Sequence, residues 1–100
     1  MPASYKLQSK VVVYQGTAAW RFIGIPEKEG SEIKNQFGAA ARGWGSLPVS
    51  VTVGNTTWDT SIFPDKKSGS YLLPLKAKTR KAENIGDDST VTYSLRLRLR

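Results

Sequence analysis

One hundred residues suffice for a single core that removes roughly two-thirds of the unfolded chain's surface from water, and not for a second one. The chain has no histidine and no cysteine, which excludes Ser-His-Asp and Cys-His nucleophiles, CxxC redox chemistry and zinc held by imidazole or thiolate. Fifteen Lys and Arg against eight Asp and Glu leave a charge of +7, compatible with an anionic partner.

The first strand is expected to begin near Tyr5 and to run through Val11, Val12, Val13 and Tyr14, with Gly16 as the break. Residues 20–25 read as its antiparallel partner. Pro26 then opens a helix as its first residue, with Glu27, Glu29 and Glu32 in or near the first turns, where the helix dipole favours acids. Ile33 and Phe37, four apart, form its short apolar face, and Gly38 ends it. Residues 39–43 read as a loop. Val49, Val51 and Val53 alternate with Ser50 and Thr52, Gly54-Asn55 follows, and Thr57, Trp58, Thr60 and Ile62 return as the second arm of a hairpin.

After a loop over residues 64–70, residues 71–76 form a further strand. A second helix covers residues 77–84 and closes at Ile85-Gly86. The strongest pattern comes last. Val91, Tyr93, Leu95, Leu97 and Leu99 share one face, and Thr90, Thr92, Ser94, Arg96, Arg98 and Arg100 share the other. Period two over this length is a strand with one buried and one wet face. The expected fold is mainly β: a small barrel of about six mostly antiparallel strands, capped by two short helices, in one domain over residues 1–100. No apolar run approaches the ~20 residues that span a bilayer, the first ten residues carry no signal-peptide pattern, and a cysteine-free chain fits the reducing cytoplasm.

Several segments together resemble the bacterial DUF1905 family, a domain of unknown function. They are Trp20-Arg21-Phe22-Ile23-Gly24-Ile25-Pro26, Gly43-Trp44-Gly45-Ser46-Leu47-Pro48-Val49, Trp58-Asp59-Thr60-Ser61-Ile62-Phe63-Pro64, Gly69-Ser70-Tyr71-Leu72-Leu73-Pro74-Leu75-Lys76, Arg80-Lys81-Ala82 and Gly86-Asp87. They cover nearly the whole chain in the family's order. The resemblance implies a double-split β-barrel capped by short helices. The stretch from Arg80 to Asp88, followed by an alternating strand, is also similar to a segment of AbrB-like transition-state regulators. Those proteins share that barrel as dimers of swapped hairpins and bind DNA. Here the spacing is shorter, and a shared fold does not carry function with it.

The basic residues are unevenly placed. Residues 66–100 hold nine cations and three acids, whereas residues 1–65 hold six and five. Arg96, Arg98 and Arg100 stand ~6.7 Å apart along one strand face. Such a row follows a phosphate backbone with bidentate contacts, or it is a solvated face whose charge discourages edge pairing. Lys76, Lys78, Arg80 and Lys81 make a second cluster. Arg80 either pairs with Glu83, Asp87 or a carbonyl, or lines a pocket for an anionic group. Trp20 and Trp58 read first as core, and Trp44, between two glycines, as core or exposed; each is also a ring on which a base or cation can stack. Asp59 and Asp65 flank Phe63-Pro64, but a carboxylate pair without histidine is a thin basis for hydrolysis. Asp87-Asp88 reads as a turn pair, one side chain capping backbone N–H groups.

The resulting expectation is a non-enzymatic binding domain without metal or cofactor. It engages a polyanion such as nucleic acid through Arg96, Arg98, Arg100, Lys78, Arg80 and Lys81. The alternative is a small-ligand or protein-interaction module whose pocket at one barrel end is made by Trp20, Trp44, Trp58, Tyr71, Lys76 and Arg80. A homodimer through a strand edge is a third expectation, and a membrane partner is not expected.

Overall fold

The computed structural model describes residues 4–13 and 20–98, leaving the side chain of Trp44 undescribed. Six strands, β1 (Ser4–Val13), β2 (Arg21–Gly24), β3 (Leu47–Val53), β4 (Thr56–Asp65), β5 (Ser70–Pro74) and β6 (Thr90–Leu97), close in the order β1-β2-β5-β4-β3-β6. Every pairing is antiparallel. The two helices are α1 (Glu27–Phe37) and α2 (Ala77–Ala82). The expected barrel with two short helices is therefore the observed one.

Two ten-residue strands make closure work. β1 pairs with β6 through residues 4–10 and then with β2 through residues 11–13. β4 pairs with β3 through residues 56–62 and then with β5 through residues 63–65. Each long strand thus passes from a four-stranded half (β1, β6, β3, β4) to a half that also contains β2 and β5. Period-two patterning puts Leu47, Val49 and Val51 of β3 inside, together with Leu95 of β6, Ile62 of β4, Ile23 of β2 and Leu73 of β5, all fully buried. Burying each such side chain stabilises by about 1.5–3 kcal/mol. α1 lays Ile33 into the same core, with Phe37 packed beside it.

Several boundaries differ from the sequence expectation for local reasons. Pro26 is the N-cap of α1, with ψ 144°, and its carbonyl accepts the Gly30 N–H at 2.8 Å. Gly38 keeps a right-handed conformation and does not stop the chain, which tightens into the 3-10 turn Gly38–Ala40; a second turn, Gly43–Gly45, begins at the end of the expected loop and runs beyond it. α2 ends two residues early because Asn84 takes φ 54°, after which the Ile85 N–H closes on the Arg80 carbonyl at 2.8 Å. In the β3–β4 hairpin only Gly54 of the Gly54-Asn55 pair has positive φ, and the Glu83 carboxylate beside it accepts the Thr56 hydroxyl at 2.5 Å. The end of α2 is thereby fastened to the hairpin turn.

Tyr93 sits in this core, 1 % exposed, its hydroxyl 3.1 Å from that of Ser9. Burial pushes its pKa up to about 12, against the bond to Ser9, which lowers it. The folded state therefore resists ionisation that the unfolded chain undergoes near pH 10. The contribution is fully present below that pH and is lost as pH rises from about 10 to about 12. Denaturant midpoints measured through this window should fall, and Tyr93→Phe should flatten much of the fall; an unchanged profile would contradict the assignment.

Candidate functional site

The outer face of the four-stranded half is built from the residues that alternate with the core. Strand register aligns two rows across it: Ser4, Arg96, Ser50 and Asp59 in one, Lys6, Ser94, Thr52 and Thr57 in the next. Gln8 opposite Thr92 and Lys10 opposite Thr90 continue it along β1 and β6. Adjacent strands lie ~4.8 Å apart, and same-face neighbours ~6.7 Å, so this is a compact lattice of hydroxyls and cations. Thr52 and Thr57 share a hydrogen bond of 2.9 Å. Ser4, Ser50, Thr52, Thr57, Ser94 and Arg96 line a shallow depression of about 270 Å³ on it.

α2 carries the cationic surface past the edge of this lattice. Lys76 and Lys78 face Thr57, Trp58 and Asp59 across a neighbouring cleft of about 410 Å³. Thr57 is common to both depressions, so Lys6, Arg96, Lys76 and Lys78 border a continuous band, all exposed. Arg98 stands at its margin, its backbone N–H on the Pro48 carbonyl at 2.9 Å and its guanidinium 3.6 Å from the Asp59 carboxylate. Both partners are about half exposed, and such pairs contribute about 0–1 kcal/mol, so Asp59 holds Arg98 only weakly.

The six residues expected to hold a polyanion are thus divided. Arg96, Arg98 and Lys78 share the band. Arg80 lies elsewhere, Lys81 is exposed and lines neither cleft of α2, and Arg100 lies outside the described residues. Lys6 and Lys10 were missed. Their signal was the alternation with Tyr5 and Leu7, but segment-by-segment charge counting hides a strand that reaches β6 only through the fold.

The alternative pocket does not form as one cavity among the described residues. Tyr71 is buried, and lines a depression with Lys34, Gly45 and Pro64. Burial raises its pKa. Trp58 points inward and is half-buried, as expected, with its indole Nε1 lacking an acceptor among the described residues. Trp20 is not core. It is 52 % exposed and stacks on Phe22, ring centroids 5.9 Å apart at 11°. Its parity gave this away, since Ile23 and Ile25 are the buried positions and Trp20 shares the outer set with Phe22. Together with Lys76 and Arg80 it lines a cleft of about 420 Å³, floored by Pro74, Leu75 and Ala77. The side chain of Trp44 lies outside the described residues.

The carboxylates have other employments. Arg21 Nε donates to Asp87 at 2.7 Å, and this hydrogen bond, aided by the Arg21 and Arg80 charges, holds the Asp87 carboxyl below its ordinary range. Asp87 is therefore an ion-pair partner and not a turn cap; the Gly86 N–H goes to the Ser89 hydroxyl at 2.8 Å. Asp65 accepts from the Lys67 N–H and the Ser68 hydroxyl in the turn before β5. Neither acid expected beside Arg80 pairs with it, because Arg21 takes Asp87 and Thr56 takes Glu83. Among the described residues no helix is long and apolar enough to cross a membrane.

A family model described as "Domain of unknown function (DUF1905)" matches residues 8–95. No curated protein matches the chain.

Proposed function

We propose a function for a chain that belongs to the DUF1905 family: it is a binding domain that holds a polyanion, most specifically the phosphate backbone of nucleic acid, on the outer face of the four-stranded half. The observation that carries this reading is the composition of that face. Lys6, Lys10, Arg96 and Arg98 of β1 and β6, with Lys76 and Lys78 beside α2, surround hydroxyls from Ser50, Thr52, Thr57 and Ser94, and Asp59 is the acid among them. Cations supply attraction and counterion release, and hydroxyls donate to phosphate oxygens. Among the described residues no long helix stands on the face to enter a groove, so base reading is slight and binding is general. A nucleic-acid ligand also agrees with a cytoplasmic location. Homodimerisation through a strand edge would require a ladder of the closed barrel to open; sedimentation as a monomer at high concentration would remove it.

Amide chemical-shift mapping tests the face. Adding a short mixed-sequence duplex should move the resonances of Lys6, Ser50, Thr52, Ser94 and Arg96 first. Shifts confined to α1, or none at all, would overturn the reading.

A further inference from the structure

The cleft beside Trp20 joins Trp20 and Arg80, which the polyanion band does not use, to Lys76, which it shares with the band. Trp20 offers a ring held in place by Phe22 and still 52 % exposed. Pro74, Leu75 and Ala77 give the cleft an apolar floor, and Lys76 and Arg80 stand at its wall. The Arg80 Nε is buried and has no acceptor among the described residues, although the group is charged and Asp87 lies near enough to feel it. Arg80 lines the cleft without a carboxylate partner among the described residues, and a guanidinium so placed receives an anionic oxygen with charge-assisted hydrogen bonds. Arg21 is already engaged by Asp87, so Lys76 and Arg80 leave the cleft positive.

An exposed, braced indole next to two cations that form no ion pair among the described residues fits a flat aromatic ring that carries an anionic group. We infer that this cleft takes a nucleotide unit, its base stacked on Trp20 and its phosphate on Arg80 and Lys76. Lys76 lines both this cleft and the one that opens onto the basic band. A phosphate chain lying on the band is thereby led to Trp20, provided that its bases are unpaired. A base within a duplex is stacked on its neighbours and has no free face to give. The same chemistry comes from a single strand or from a free mononucleotide. The single-strand source rests on the polyanion reading; the mononucleotide source does not.

The test uses the full chain, with Trp20→Ala, Trp20→Phe and Arg80→Gln variants checked for folding by circular dichroism. A labelled single-stranded dodecamer and its duplex are titrated by anisotropy, and adenosine 5′-monophosphate by quenching of tryptophan emission. Base–aromatic stacking is worth about 1–3 kcal/mol, so Trp20→Ala should weaken the single strand or the mononucleotide about 5- to 150-fold. Trp20→Phe should retain most of that affinity, Arg80→Gln should lose part of it, and duplex binding should be the same in wild type and the Trp20 variants. Weakening of the strand alone assigns the site to nucleic acid, and weakening of the mononucleotide alone assigns it to a free nucleotide. Equal affinity of wild type and Trp20→Ala for both ligands overturns the inference. A duplex that fails to bind wild type overturns the polyanion reading instead, and leaves the mononucleotide arm to decide the cleft.

Discussion

Replacing Arg96 and Arg98 together by serine should weaken duplex binding about 60-fold at 0.1 M salt, with the loss shrinking toward nothing near 1 M. The magnitude follows from counterion release. Each phosphate neutralised contributes about 0.9 to the slope of log K against log[salt], so two lost contacts remove about 1.8. The stability cost should be slight, because both side chains are exposed and the ion pair of Arg98 with Asp59 is a surface one. Asp59→Asn should act in the opposite direction, by removing the acid from between Arg98 and the hydroxyl rows. Anisotropy titrations at several salt concentrations read both effects. A loss independent of salt would mean that these arginines act by shaping the face and not by meeting phosphate.

Gly30→Ala should destabilise the fold by about 1–3 kcal/mol, although the same change in an exposed helix interior gains up to about 1 kcal/mol from helix propensity. The sign reverses because α1 approaches β5 through this glycine. A Cβ there would lie 2.7 Å from the Ser70 Cβ and 3.1 Å from its Cα, and closer still to its hydroxyl. Ser70 cannot turn away cheaply: it is buried, and its hydroxyl donates to the Ile25 carbonyl at 2.7 Å, fixing the chain where it enters α1. For a domain of this size the expected fall in Tm is about 4–8 °C per kcal/mol. Ser70→Ala should restore only part of it, since the Cβ contact remains. A thermal scan in which Gly30→Ala is more stable than wild type would show that the helix and strand are not in this contact.

The elements that alternation governs were legible. β6 and the β3–β4 hairpin carry period-two patterns, and a residue's parity there settles its side of the sheet. Tyr93 and Leu95 are buried and Arg96 is exposed for that reason alone. What alternation does not encode is which strands become neighbours. The basic face needs β1 beside β6 and β3 beside both β4 and β6, and these pairings join residues as far apart as Ser4 and Arg96. Counting charge along the chain therefore found the arginines and missed Lys6 and Lys10.

The Lys76–Lys81 run is divided by the fold. α2 is only six residues long and turns its side chains around its axis, so Lys76 and Lys78 line one cleft, Lys76 and Arg80 another, and Lys81 neither. Trp20 reads as core because a tryptophan is most often core material, but it precedes β2 in the same parity as Phe22 and stands outside. Aromatic size argued for burial, and strand geometry overruled it.

The central claim is that the four-stranded face meets phosphates. Its most direct test is the salt dependence of duplex affinity for the wild-type chain, followed by anisotropy of a labelled mixed-sequence duplex. With three to five phosphates engaged, log K should fall against log[salt] with a slope of about −3 to −4.5 and should hardly vary with duplex sequence. Absence of binding at low salt, or binding with a flat slope, would contradict the account.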